Sequence, residues 1–319
     1  MKILTTLAAM IVSLLGASAN AASWGVGSGP QGTVIYTSAA AIAKLASEKA
    51  GLDLRVQPYG GSSQYVPLVG TKEIDFALAN ILEVSSAVDG TLIFQGRKSP
   101  DIRVVAVIFP LTGSFFVRAD SPIKSLKDLK GKRLPTGYSS QAIIRPLTDA
   151  VLANGMISTD DVKAGPVPNV IRAAEDFAQG KADAFFFGIG GAKVAEVAAG
   201  VGGVRLLPLD DDPRAVAAMR KIVPQSYITT LQPSDKYVGV VGPTKVMAYD
   251  FLLIAGAHVP DEIVHKLTAT IAANKADLAA AAPFFFDFEV AKMAKKNGLS
   301  YHPGAVKFYQ ESGLWPPKD

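Results

Sequence analysis

An apolar run, a loop of small residues and a helical stretch recur along this chain, and that recurrence narrows the fold more than any other feature. The loops fall at 27–33, 60–64, 80–83, 137–141 and 188–191. Strands alternating with helices imply α/β units and mainly parallel sheets. Such sheets place ligands beyond the C-terminal ends of their strands. Two lobes built this way and facing each other would bring the five loops together across a cleft.

The first loop, Gly25 to Tyr36, contains Gly27-x-Gly29-x-x-Gly32, the spacing of a dinucleotide-binding loop. Glycine lets a backbone turn tightly and approach a ligand. The helix expected over 39–50 offers unpaired N–H groups and the positive end of its dipole. An anion site follows, for a pyrophosphate or for a carboxylate. A bare glycine turn is the other reading. The dinucleotide reading needs an acidic residue at the end of the second strand, about twenty residues on. Asp53 lies at that strand's start, and Tyr59-Gly60 occupy the position the acid would need.

The N-terminus reads as an export signal. Lys2 precedes the apolar run Ile3 to Leu15, and Ala19-Asn-Ala21 supplies small residues for cleavage after Ala21 or Ala22. Later apolar runs fall short of the ~18–20 residues of a spanning helix, so a soluble periplasmic chain is expected. A dinucleotide-dependent enzyme fits that address poorly, because soluble nicotinamide cofactors are scarce outside the cytoplasm. The chain has no cysteine, so neither disulfides nor a thiol nucleophile enter. A net charge of +4 is mild, and the one dense basic cluster, Lys124 to Arg133, lacks interleaved aromatics. It reads as a solvated face, and no nucleic-acid partner is expected. The 319 residues suit a signal at 1–22 and two lobes: 23–110 in the first, 111–228 in the second, and 229–319 returning to the first, mostly as helices from Ala248 onward.

Catalytic and metal patterns are weak. His258, His265 and His302 show no i, i+4 spacing, and Asp210-Asp-Asp212 lacks further ligands. There is no Gly-x-Ser-x-Gly elbow. Glu83 and Asp183 read as strand-end structure as readily as acid and base. No enzyme activity, cofactor or metal is expected.

Several segments resemble the TAXI group of solute-binding receptors that serve TRAP-type transporters. They are Gly29-Pro-Gln-Gly-Thr-Val-Ile-Tyr36, Gly60-Gly-Ser-Ser63, Ser125-Leu-Lys-Asp-Leu-Lys-Gly-Lys132, Gly180-Lys-Ala-Asp-Ala184 and His302-Pro-Gly-Ala-Val-Lys-Phe-Tyr-Gln-Glu311. The resemblance covers most of the mature chain. It implies a two-lobed α/β periplasmic binding protein of type II, the Venus flytrap, with a hinge between lobes. It implies capture of a small organic acid (glutamate, 2-oxoglutarate or a related carboxylate) and delivery to a TRAP permease. An ABC-importer receptor or a sensory receptor would share the fold.

Carried over residue by residue, the resemblance implies ligand contacts at Ser28, Gln31, Gly32, Thr33 and Tyr36 in the first loop. It adds Ser62, Ser63 and Gln64 in the second and Asn80 at a strand end. Ser139, Ser140 and Gln141 follow in the third loop, and Gly188 after a second-lobe strand. Arg145, one turn beyond the third loop, is a candidate for a second ligand charge. Two departures fall in the expected pocket: Ile35-Tyr36 stands where family members carry Tyr-Tyr, and Gly137-Tyr-Ser-Ser-Gln141 replaces a loop richer in glycine, serine and threonine.

Overall fold

A computed structural model describes residues 22–317. The expected export signal, apart from Ala22, lies outside the described residues. The first lobe opens with β1 (Ser23–Ser28), α1 (Val34–Ala50), β2 (Asp53–Pro58), α2 (Ser62–Gly70), β3 (Phe76–Asn80) and α3 (Ile81–Asp89). Strand β1 pairs in parallel with both β2 and β3. Helix α1 is set by its ends and one face. Thr33 caps it by accepting from Tyr36 N at 3.2 Å, and Gly51 ends it at φ +61°. Ala39, Ile42, Leu45 and Ala46 form the buried stripe between.

Strand β4 (Ile102–Arg118) carries the chain onward for 17 residues. The second lobe follows: β5 (Arg133–Pro135), α4 (Ile144–Asn154), β6 (Lys163–Gly165), α5 (Val170–Ala178), β7 (Phe185–Gly188), α6 (Ala192–Val201), β8 (Val204–Leu206), α7 (Pro213–Ile222) and β9 (Tyr227–Leu231). Strand β10 (Thr244–Gly256) runs back, and α8 (Asp261–Ala273), α9 (Lys275–Ala281) and α10 (Pro303–Glu311) close the first lobe, with α8 packed on α1 and α10.

The large sheet has the order β2-β1-β3-β10-β4-β7, with β8 on β4 and β9 on β10, and β5 and β6 form a separate parallel pair. Strands β4 and β10 are antiparallel neighbours from Ile102–Gly256 to Gly113–Met247. The first-lobe end of this pair joins β3, and its second-lobe end joins β7, β8 and β9. Among the named strands of the described residues, the parallel pairs are β1–β2, β1–β3 and β5–β6, and one isolated parallel bridge joins Val104 to Tyr301. The crossing strands are antiparallel because β10 returns the chain that β4 took out.

Two expectations change here. Ile102 to Phe109 and Gly113 to Arg118, expected as separate extended segments, are one strand through Pro110. The proline sits where it is tolerated, opposite Asp250, next to a register irregularity at Phe251/Leu252. The stretch after Ala248, expected as helix, begins with the rest of β10. Its residues from Val246 to Ala255 are buried throughout, and a fully buried apolar run has no periodicity to separate strand from helix. Burial of side chains such as Val104, Phe115, Phe116, Leu252 and Ile254 contributes roughly 1.5–3 kcal/mol each, so the crossing pair is also the core.

Candidate functional site

Between the lobes lies a cavity of 50 Å³. Its floor is the crossing pair itself: Leu111 and Tyr249, partners in the β4–β10 register, both line it. One wall is first-lobe: Thr33, Val34 and Ile35 at the start of α1, Ser62 at the start of α2, and Asn80 at the end of β3. The other is second-lobe: Gln141, Ile144 and Leu147 at the start of α4, Val170 at the start of α5, and Phe186, Phe187 and Gly188 at the end of β7.

The first turns of four helices, α1, α2, α4 and α5, thus border this cavity, and the cap of a fifth, α3, lines it as well. First-turn N–H groups lack intrahelical partners and carry the positive end of the dipole. The polar side chains at the wall are neutral. Thr33 and Asn80 cap α1 and α3, Asn80 accepting from Glu83 N at 2.9 Å. Gln141 reaches across to α5, its Oε1 accepting from Val170 N at 3.3 Å. Ser62 is buried, and its hydroxyl has no hydrogen-bond partner of good geometry. The rest of the lining is aliphatic or aromatic.

Beneath the first-lobe wall sits Glu83, fully buried in the first turn of α3. Its Oε1 accepts from Ser63 Oγ at 2.7 Å, while Oε2 has no partner. Burial pushes this carboxyl up to about 7, partly offset by the Ser62 and Ser63 hydroxyls. Burial, and then the Glu83 charge, raise the Tyr249 phenol well above its usual range.

The lobes meet directly around the cavity. Asn169 Nδ2 donates to Gly60 O at 3.1 Å, Ile143 N to Ser63 Oγ at 3.3 Å, and Lys193 N to Gly32 O at 3.1 Å. Gly61 lies so close to the third loop that a Cβ there would stand 2.5 Å from Ser140 O. The third loop is pinned by Ser139 N and Ser140 N donating to Val167 O and Pro168 O, and it holds buried Tyr138 at φ +25°, a sparsely populated backbone conformation.

Of the residues expected at the ligand, Thr33, Ser62, Asn80, Gln141 and Gly188 border the cavity. Ser63, Gly32 and Ser140 instead join the lobes at its edge. Ser28 is buried at the end of β1, where its carbonyl accepts from Tyr59 N. Gln31 and Tyr36 hydrogen-bond each other at 3.3 Å on the outside, Gln64 accepts from Gly60 N, and Ser139 faces solvent. Arg145 is 67% exposed and lies 3.9 Å from Asp149, away from the cavity. The apolar lining and Tyr249 were not singled out from the sequence. Their one signal is the apolar end of the Phe185-Phe-Phe187 strand.

Of the glycine triad only Gly32 has a positive φ, +85°. Gly27 is needed for packing, since a Cβ there would meet Ile74 and Tyr65 within 2.8 Å. The histidines are each engaged: His258 with Asp75 at 3.1 Å, His265 with Glu311 at 2.7 Å, and His302 as the cap of α10. Asp212 caps α7, and Asp211 pairs with Lys245 at 2.6 Å.

The structure is similar to a protein solved as a periplasmic transporter, with TM-score 0.59 and 15% identity over 94% of this chain and 95% of that one. It is similar to PhnD1 from Prochlorococcus marinus in complex with methylphosphonate, with TM-score 0.56 and 14% identity over 92% and 98%. A third is AbpA of Streptococcus pneumoniae, an amino acid ABC transporter substrate-binding protein bound to L-arginine, with TM-score 0.50 and 11% identity over 84% and 96%. These likenesses give the fold: a two-lobed, type II periplasmic-binding-protein fold.

The resemblance to the TAXI group is overturned, because the profile that matches residues 26–313 is that of the NMT1-like family. The segments that carried the resemblance do local structural work. Ser125 and Asp128 form a capping box, and Gly180 makes a left-handed turn at φ +73°. His302 Nδ1 accepts from Gly304 N at 3.2 Å to start α10. Such caps and turns belong to the architecture and carry little about which transporter a receptor serves. On a match spanning nearly all of the described residues, the chain belongs to the NMT1-like family.

Proposed function

We propose that this chain is the periplasmic solute-binding receptor of an ABC importer, and that it closes on a small solute with an anionic head and a short apolar body. The observation that carries this is the cavity between the lobes. First turns of four helices meet there beside a buried serine hydroxyl that has no partner. Helix N-termini and neutral donors stabilise an anion without a matching cation. Aliphatic and aromatic lining suits the body, and a volume of 50 Å³ favours a compact one.

The importer class is supported by the AbpA likeness, and the anionic head by the PhnD1 likeness, in addition to the site itself. The ABC reading replaces the TRAP permease as partner, since the TRAP assignment rested on the TAXI resemblance. In this reading the ligand-binding residues are Thr33, Ser62, Asn80, Gln141 and Gly188. Ligand stabilises the closed arrangement in proportion to its preference for that state. A thermal-shift panel of short carboxylates, alkylphosphonates, alkylsulfonates and amino acids on the mature chain tests the reading. An anionic solute should raise the melting temperature and be confirmed by calorimetry. Stabilisation by cationic or uncharged solutes alone would refute it.

A further inference from the structure

Two polar atoms next to the cavity are left over by the fold: Oε2 of Glu83 and the hydroxyl of Ser62. Both residues are fully or almost fully buried. The Ser62 hydroxyl lies close enough to the Glu83 carboxyl to influence it. Among the described residues, the groups in electrostatic contact with Glu83 are hydroxyls: Ser62, Ser63 and Tyr65 of α2, and Tyr249 of β10. Ser63 donates to Oε1, and it accepts in turn from Ile143 N of the other lobe. Asn80, which lines the cavity, accepts from the Glu83 backbone N–H.

A carboxylate here would be an uncompensated charge in an apolar setting, which costs several kcal/mol and favours protonation. One proton placed on Oε2 supplies both leftover atoms: the acid O–H can donate to Ser62 Oγ, leaving the Ser62 O–H to point into the cavity. We propose that Glu83 binds a proton together with the solute, as a buried carboxylic acid that donates to Ser62 and so makes the Ser62 hydroxyl a donor to the anionic head. The inference rests on the anionic-solute reading above. It makes solute capture proton-linked. An anion in the cavity disfavours a second negative charge one hydroxyl away, so the bound state holds its proton to higher pH than the empty one. Below about 7 both states are protonated and affinity is flat. Above it, binding takes up a proton and weakens by up to tenfold per pH unit.

The test is titration calorimetry on the mature chain between pH 6 and 9, with acetate and methanesulfonate as probes, since their charge is fixed over that range. Repeating the titration in buffers of different ionisation enthalpy counts protons. The expected result is uptake approaching one proton per probe at alkaline pH, with affinity falling above neutrality. Glu83→Gln, which keeps a donor and cannot ionise, should bind with a flat pH profile and no proton uptake. Binding without uptake and without pH dependence in the native chain overturns this inference and leaves the anionic-solute reading standing. Failure of both probes to bind at any pH overturns both, as does proton release on binding. The native-chain measurement decides the matter even if the variant folds poorly.

Discussion

Gly61→Ala should separate folding from closure. Gly61 precedes α2 with φ 179° and ψ 160°, an extended conformation that alanine adopts without strain. The added methyl would stand 2.5 Å from Ser140 O and 2.6 Å from Gln141 Cβ, both on the opposite lobe. Ordinary contact needs about 1 Å more, so the lobes must part there or the third loop must shift. Overpacking of this kind costs about 1–3 kcal/mol. The whole of that cost falls on the closed arrangement, so it appears as lost affinity, about 5- to 150-fold. The neighbouring interlobe hydrogen bond, Asn169 Nδ2 to Gly60 O at 3.1 Å, adds to the loss if it opens. Calorimetry with the identified solute reads the affinity, and thermal unfolding without solute reads the fold. The expected pair is weak binding with a native-like melting temperature. Affinity within twofold of native would refute the idea that this approach of the lobes is part of capture.

Ser62→Ala removes the hydroxyl proposed to donate to the anionic head, and loss of a hydrogen bond to a charged group should cost about 1.5–3 kcal/mol of binding, read by calorimetry. Arg145→Ala should change affinity less than twofold, because that side chain is solvent-exposed and lies beside Asp149. Glu83 carries a stability prediction whose sign follows from its raised titration: the folded state holds its proton up to about 7, whereas an open chain releases it near 4.5. Stability is therefore fully present below 4.5 and falls between these values, by roughly 3 kcal/mol in all. Glu83→Gln should flatten that slope in urea-denaturation curves collected from pH 4 to 8.

Loops after strands could be found in the sequence because small residues, helix caps and strand ends coincide there. Thr33 and Asn80 show this: the sequence placed one in the glycine loop and the other at a strand end, and the structure makes each the cap of the helix that follows, at the wall of the cavity. Gln31, Tyr36, Gln64 and Arg145 sit in the same segments yet turn away. One residue along a helix rotates a side chain by about 100°, and only packing against the other lobe sets which face looks inward. The cavity floor was hidden for another reason. Tyr249 and Leu111 lie in strands that are mostly apolar and buried along nearly their whole length, so neither stands out. Glu83 was visible as an acid at a strand end, but its isolation from any neutralising charge is a tertiary fact.

The two crossing strands bear on how such a molecule is read by whatever it docks against. They are hydrogen-bonded to each other from one lobe into the next, with register irregularities at Phe251/Leu252 and Leu253/Ile254. A ribbon of this kind can flex and twist, but its ladder resists sliding of one strand past the other. Any opening and closing of the two halves would therefore be guided along a nearly single path and return them to the same alignment. Leu111 and Tyr249 belong to the ribbon and also floor the cavity, so a solute held there would couple occupancy to shape at one place. On the receptor reading, a membrane partner would then need to distinguish only two outlines, and the one it would meet with solute inside would always be the same.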